Sequence, residues 1–227
     1  MQRRNFTSVV VSSLFAVSWS DTALAAGLSE SDAAHGVRAA LEQGVSAAIA
    51  LLGRNDGFLG NPKVRIPLPG FLNDAAGLLR ATGQQKRLDA LEIAMNRAAE
   101  AAVPQARSLL VSTVKNLSIE DASRLVTGGD GSVTRFFADK TRAPLSVTFL
   151  PIVTQATDKV SLAEKYNEVA GKAARLGLMK KEDANVQQYV TEKALDGLYA
   201  MIGEQERQIR QDPVGTGSAI LRKVFGR

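Results

Sequence analysis

Between Gln85 and Leu117 the apolar residues recur at helical spacing, and this stretch constrains the fold more than any other. Leu88, Leu91, Met95, Ala98 and Ala102 alternate steps of three and four, which lines them along one side of a helix. A second row, Ala90, Ala94, Ala98 and Ala102, runs in steps of four. Alanine there leaves a smooth surface that neighbouring helices can approach closely. A helix with small or apolar residues on more than one side belongs inside a bundle. The same segment carries Glu92, Asn96, Arg97 and Glu100, a dense polar group on an otherwise smooth helix. Pro104 falls within the stretch and is expected to kink it, because proline lacks an amide donor and crowds the preceding turn. The expected fold is all-α: an irregular multi-helix bundle with a central long helix and one extended strap.

The other elements follow from caps and breakers. Ser29-Glu30-Ser31-Asp32 starts a first helix, which buries Val37, Leu41, Val45, Ala48 and Leu52 and stops at Gly53. From Asn55 to Pro69 the helical pattern breaks into turn residues, followed by the alternation of Val64, Ile66 and Leu68 with Lys63, Arg65 and Pro67. Pro67 and Pro69 lack ladder donors, so this is an edge strand or an extended strap, with at most one short strand pair near Val64–Leu68. A short helix is expected from Phe71 to Thr82 and another from Ser118 to about Val126. Thr127 to Ser132 is a glycine-rich loop without the Gly-Lys-Ser/Thr ending of a phosphate site, and Ser132 is expected to cap the next helix. Pro144 and Pro151 are expected to split Val133–Val160 into two or three pieces. Ser161 caps a helix to Leu176, and Asp183 or Asn185 begins a long one to about Gln211, with Val186, Val190, Ala194, Leu198 and Ile202 in steps of four. Ser218 to Phe225 can form a last short helix.

Met1 to Ala25 has the three parts of a secretory leader: Arg3 and Arg4, the apolar run Val9–Val17, and the small-x-small site Ala23-Leu24-Ala25. Arg3-Arg4-Asn5-Phe6 also resembles a twin-arginine export signal, so either route is open. The run is too short to span a bilayer, so residues 26–227 are expected to be a periplasmic, non-membrane protein. They form a single helical domain, with a weak internal break near 127–132.

Composition removes several chemistries. The 227 residues contain no cysteine, which excludes disulfides, thiolate metal sites and cysteine nucleophiles. The one histidine, His35, cannot make a multi-histidine metal site, and alone on a polar helix start it reads as a surface residue. No metal or other cofactor is expected. The net charge of +5 is evenly mixed, without a long basic run, so nucleic acid is not an expected partner.

Two polar groups remain as candidates for chemistry. Glu92, Asn96, Arg97 and Glu100 form one; Glu192 and Asp196, with Lys193, form the other. Packed helices could bring such carboxylates close enough for glycoside hydrolysis, whereas the plainer reading is a set of ion pairs that fix helix register. The strap offers a binding lip, with Phe58 and Leu59 as apolar contacts and Lys63 and Arg65 beside them; the alternative is a strap that only closes the core.

Three words of the sequence carry a resemblance: Asp56-Gly57-Phe58-Leu59-Gly60-Asn61-Pro62, Met95-Asn96-Arg97-Ala98-Ala99-Glu100-Ala101-Ala102 and Thr191-Glu192-Lys193-Ala194-Leu195-Asp196-Gly197-Leu198. With them the chain resembles the bacterial exported proteins grouped as domain-of-unknown-function family 4197, over nearly all of residues 26–227. The resemblance implies an all-helical exported domain and brings no activity, ligand or site residue. The expected function is a ligand- or partner-binding module without catalysis. The alternatives are a carboxylate-based enzyme of the cell-wall glycan hydrolase type, and a purely structural assembly factor.

Overall fold

Helical periodicity is realised along most of the chain. The computed structural model describes residues 30–176 and 184–212, so the leader Met1–Ala25 and the helix expected at Ser218–Phe225 lie outside the described residues. Within them nine α-helices run in order. α1 is Glu30–Leu52, α2 Gly70–Asp74, α3 Ala76–Ala81, α4 Gln85–Ala102 and α5 Arg107–Lys115. α6 is Ile119–Thr127, α7 Ser132–Thr157, α8 Ser161–Arg175 and α9 Val186–Gln211. There is no strand among the described residues. None of the described helices is long and apolar enough to cross a membrane.

Pro104 does more than kink the Gln85–Leu117 stretch. It turns Val103–Ala106 into a 3-10 segment that separates α4 from α5. The expected Phe71–Thr82 helix is likewise two pieces, interrupted at Ala75 and stopped where Gly83 takes φ 79°. By contrast, the expected division of Val133–Val160 is corrected: α7 is one helix with Pro144 and Pro151 inside it. The two prolines are seven residues apart, two turns, and both lie on the exposed face. The carbonyls they leave without amide partners therefore face water. Inside, Phe137, Thr141, Leu145, Phe149, Val153 and Thr157 keep an unbroken buried stripe in steps of four. Packing of that stripe holds the helix together against a proline penalty of about 3 kcal/mol per site.

The main core cluster draws on the strap and on all nine helices, and Ala40 with Ile209 forms a small second cluster between α1 and α9. α7 and α9 make the broadest contact, followed by α4 with α7 and α1 with α9. α4 packs centrally, but α9 is buried on more sides; besides the stripe in steps of four, Leu195, Gly197, Tyr199, Met201 and Gly203 are also enclosed.

The caps divide in the same way. Ser118 Oγ accepts from Asp121 N at 3.0 Å and Asn185 Oδ1 from Gln188 N at 3.0 Å, as their residue types require. Ser132 is not a cap: Gly131, at φ 77°, holds that position, and Ser132 Oγ donates back to Leu125 O. The N-terminus of α7 is capped from α9 instead. Val133 N and Thr134 N donate to the two carboxylate oxygens of Glu206 at 3.3 and 3.2 Å.

Candidate functional site

The polar face of α4 is a clamp for the strap. Asn96, fully buried, accepts from Ile66 N and donates to Ile66 O, both at 2.9 Å. One side-chain amide thus does the work of a neighbouring strand. This explains how a segment carrying Pro67 and Pro69 packs against helices without a ladder. Four residues on, Glu100 Oε1 accepts from Phe58 N at 3.0 Å and Leu59 N at 3.1 Å. Its Oε2 takes Arg97 Nη1 at 2.7 Å, while Arg97 Nη2 reaches Asp56 at 2.7 Å. Hydrogen bonds from Glu100 and Asp56 raise the Arg97 pKa further above its already high ordinary value. Glu92 holds Arg65 at 2.9 Å. From α9, Glu204 holds Lys63 at 3.4 Å, and Tyr189 Oη donates to Pro67 O at 3.2 Å.

Two glycines let the strap come this close. A Cβ at Gly57 would lie 2.3 Å from Leu52 O, so only glycine fits that turn. A Cβ at Gly197 on α9 would lie 2.7 Å from the Phe58 ring. Phe58 is thereby seated in the core with no exposed surface, as are Ile66 and, nearly, Val64 and Leu68. The lip expected from Phe58, Leu59, Lys63 and Arg65 therefore divides. Phe58 is a core anchor and Leu59 is half-buried; Lys63 and Arg65 stay at the surface.

Glu192 and Asp196 do not join the α4 network. Both are held by Arg142 of α7, whose two terminal nitrogens each take one carboxylate, Glu192 at 2.6 Å and Asp196 in a shorter contact. Burial disfavours the Arg142 charge, but its bonds to Asp196 and Glu192 outweigh this and raise its pKa. The guanidinium also lies 5.5 Å over the Tyr199 ring. Burial raises the Tyr199 hydroxyl pKa, and that hydroxyl pairs with Thr141 at 2.8 Å. Glu92 and Glu100 are thus held by separate arginines, Arg65 and Arg97, while Glu192 and Asp196 share Arg142.

One juxtaposition is left open to solvent. Lys63, Arg65 and Pro67 of the strap meet Tyr189, Lys193 and Asp196 of α9 around a groove of about 310 Å³, floored by Val64, Ile66, Gly197 and Ala200. Lys193 Nζ stands 5.8 Å from the Tyr189 ring centre and 3.8 Å from Asp196. No group of three or more acidic or histidine side chains among the described residues could hold a metal ion.

A further polar pair is absent from the expectations above. Glu206 and Arg210 continue the α9 series of Val186, Val190, Ala194, Leu198 and Ile202 in steps of four, and Glu206 is buried. Arg210 donates to Leu125 O at 2.7 Å and Val126 O at 3.1 Å, at the end of α6, and pairs with Glu206 at 3.1 Å. Charged residues falling in register on an apolar stripe were the available signal. No curated protein and no solved structure matches the chain. Its strap, its α4 clamp and its α9 seat all lie within a family match over residues 27–226, and the chain belongs to the family described as protein of unknown function, DUF4197.

Proposed function

We propose that this chain is an exported helical binding module of the periplasm, without chemistry of its own, and that its ligand site is the groove between the strap and α9. The observation that carries the reading is the convergence of Lys63, Arg65 and Lys193 beside Tyr189 in that groove. Three cations and an aromatic face suit a ligand that bears a carboxylate or phosphate on an apolar or planar body. Each cation has a protein carboxylate nearby, but these are surface pairs, with side chains of Lys63 and Arg65 64% and 48% exposed. Such pairs are weak because water screens them, so an arriving anion displaces Glu204 or Glu92 at little expense. The strap is clamped by α4 before any ligand arrives, which spares the ordering cost of binding. Export is supported by the leader features of Met1–Ala25, which the family match at 27–226 leaves outside.

The test is mass spectrometry of the native protein purified from the periplasm, beside the Lys63→Ala, Arg65→Ala double variant. The expected result is a co-purifying anionic species that the double variant no longer holds, with an unchanged melting temperature. Retention of that species by the variant, or its absence from the native protein together with no gain in melting temperature across a panel of carboxylates and phosphates, rejects the strap groove as the site.

A further inference from the structure

A second groove, of about 520 Å³, opens between α1 and α5 and shares no lining residue with the first. Its walls are antiparallel and pinned at both ends. At one end Gly53 is so close to the Pro104 ring that a Cβ would lie 2.8 Å from it. At the other, Arg38 of α1 donates twice to Leu117 O, at 2.7 and 3.1 Å. Glu42 and Ser46 line the α1 wall; Arg107, Ser108, Ser112 and Lys115 line the α5 wall. Arg107 and Lys115 bracket α5 eight residues apart, or about 12 Å along the helix. Neither has a carboxylate within ion-pair distance among the described residues; Arg107 has a 3.4 Å contact to Ser46 Oγ and nothing closer. Glu42 likewise has no ion-pair partner among them.

We infer that this groove binds an acidic oligosaccharide. Ser46, which accepts from Arg107, can still donate, Ser108 offers both roles, and Ser112, whose proton goes to Leu109 O at 2.8 Å, can still accept, so the two walls match a ligand covered in hydroxyls. The two cations, eight residues apart on α5, suit negative charge distributed along an extended chain rather than one compact anion. Glu42 narrows the class further. A carboxylate only accepts, so it welcomes sugar hydroxyls and repels any anionic group set directly against it, which leaves the ligand's own charges to Arg107 and Lys115 and disfavours a compact phosphate or sulfate that cannot keep its charge away from Glu42. Pro104 and Val111 provide apolar surface for the C–H faces of sugar rings.

Calorimetric titration of the chain with a uronic-acid oligosaccharide tests this, with a neutral gluco-oligosaccharide of equal length and inorganic phosphate as the other probes. The acidic oligosaccharide should bind, and the neutral one about tenfold more weakly. The Arg107→Ala, Lys115→Ala double variant should lose about tenfold or more, the scale of one or two charged hydrogen bonds. Both side chains are exposed, so its melting temperature should match the native chain. Glu42→Gln should weaken the acidic oligosaccharide less than the double variant does, and strengthen phosphate. The Lys63→Ala, Arg65→Ala variant should bind as the native chain does, which separates this site from the strap groove. No heat with the acidic oligosaccharide, equal affinity in the double variant, or phosphate binding as tightly as the oligosaccharide overturns the inference.

Discussion

Asn96 and Glu100 illustrate how much one side chain can carry when it replaces secondary structure. Asn96 is the partner of both backbone groups of Ile66 in a dry site. Asn96→Ala leaves a buried donor and acceptor unmatched, each costing about 1–3 kcal/mol, so denaturant melts should show a loss of about 2–4 kcal/mol. Arg97 is a weaker link than its position among alanines suggests. Removing it leaves Glu100 with the Phe58 and Leu59 amides still donating, and the lost pair is one-third exposed on the arginine side. Arg97→Ala should therefore destabilise the chain less than Asn96→Ala does in the same melts, as expected between a surface pair and a fully buried one. Glu204 gives a pH signature. Hydrogen bonds from Arg207 and then Lys63 hold its carboxyl below the ordinary glutamate value. The folded chain thus binds that proton more weakly than the unfolded one, so the contribution of these bonds is complete at neutral pH and is lost as pH falls through the acid range below the ordinary glutamate value. An NMR titration should find Glu204 protonating below that value, and returning toward it in Arg207→Ala; an unchanged midpoint in the variant would show that Arg207 is not the cause.

At the scale of elements, the strap and α9 are matched surfaces. Gly197 sits mid-helix, where alanine would favour the helix by about 1 kcal/mol. Yet its added methyl would meet the buried Phe58 ring at 2.7 Å, and that ring has no solvent side to retreat to. Overpacking of this kind costs about 1–3 kcal/mol. Gly197→Ala should therefore destabilise on balance; a melting temperature at or above the native value would mean that Phe58 is not clamped as described. The same logic explains α7. Its prolines are tolerated because the packed stripe from Phe137 to Thr157 lies opposite them. α9 completes the helix ends around it, with Glu206 at the start of α7 and Arg210 at the end of α6, each placing charge where the helix dipole favours it.

At the scale of the molecule, the main core cluster joins the helices before and after the glycine loop at 127–132. The sole tryptophan, Trp19, lies in the expected leader. If export removes residues 1–25, the periplasmic protein should show tyrosine emission alone, and its intact mass should begin at Ala26. Tryptophan emission from that fraction, or a mass that includes the leader, would reject cleavage after Ala25. Replacing Arg3 and Arg4 by lysine should block export only if the twin-arginine route is used.

Local chemistry was enough to read most of the helices, the cap at Ser118, Asn185 as one of two candidate starts for α9, a distortion at Pro104 and the alternation of Val64, Ile66 and Leu68. Each depends on the periodicity or backbone preferences of residues close together in the chain. The polar set on α4 was legible as a group, because charge on a smooth helix stands out. Its partners were not, since the strap amides that Asn96 and Glu100 bind lie 30 to 42 residues away. Tertiary packing also overrode two local signals: Pro144 and Pro151 failed to break α7, and Ser132 gave up its cap to Glu206 from 74 residues on. The same holds for Phe58, whose turn-rich surroundings read as a lip. Its seat in the core depends on Gly197 of a distant helix, where a Cβ would lie 2.7 Å from the ring.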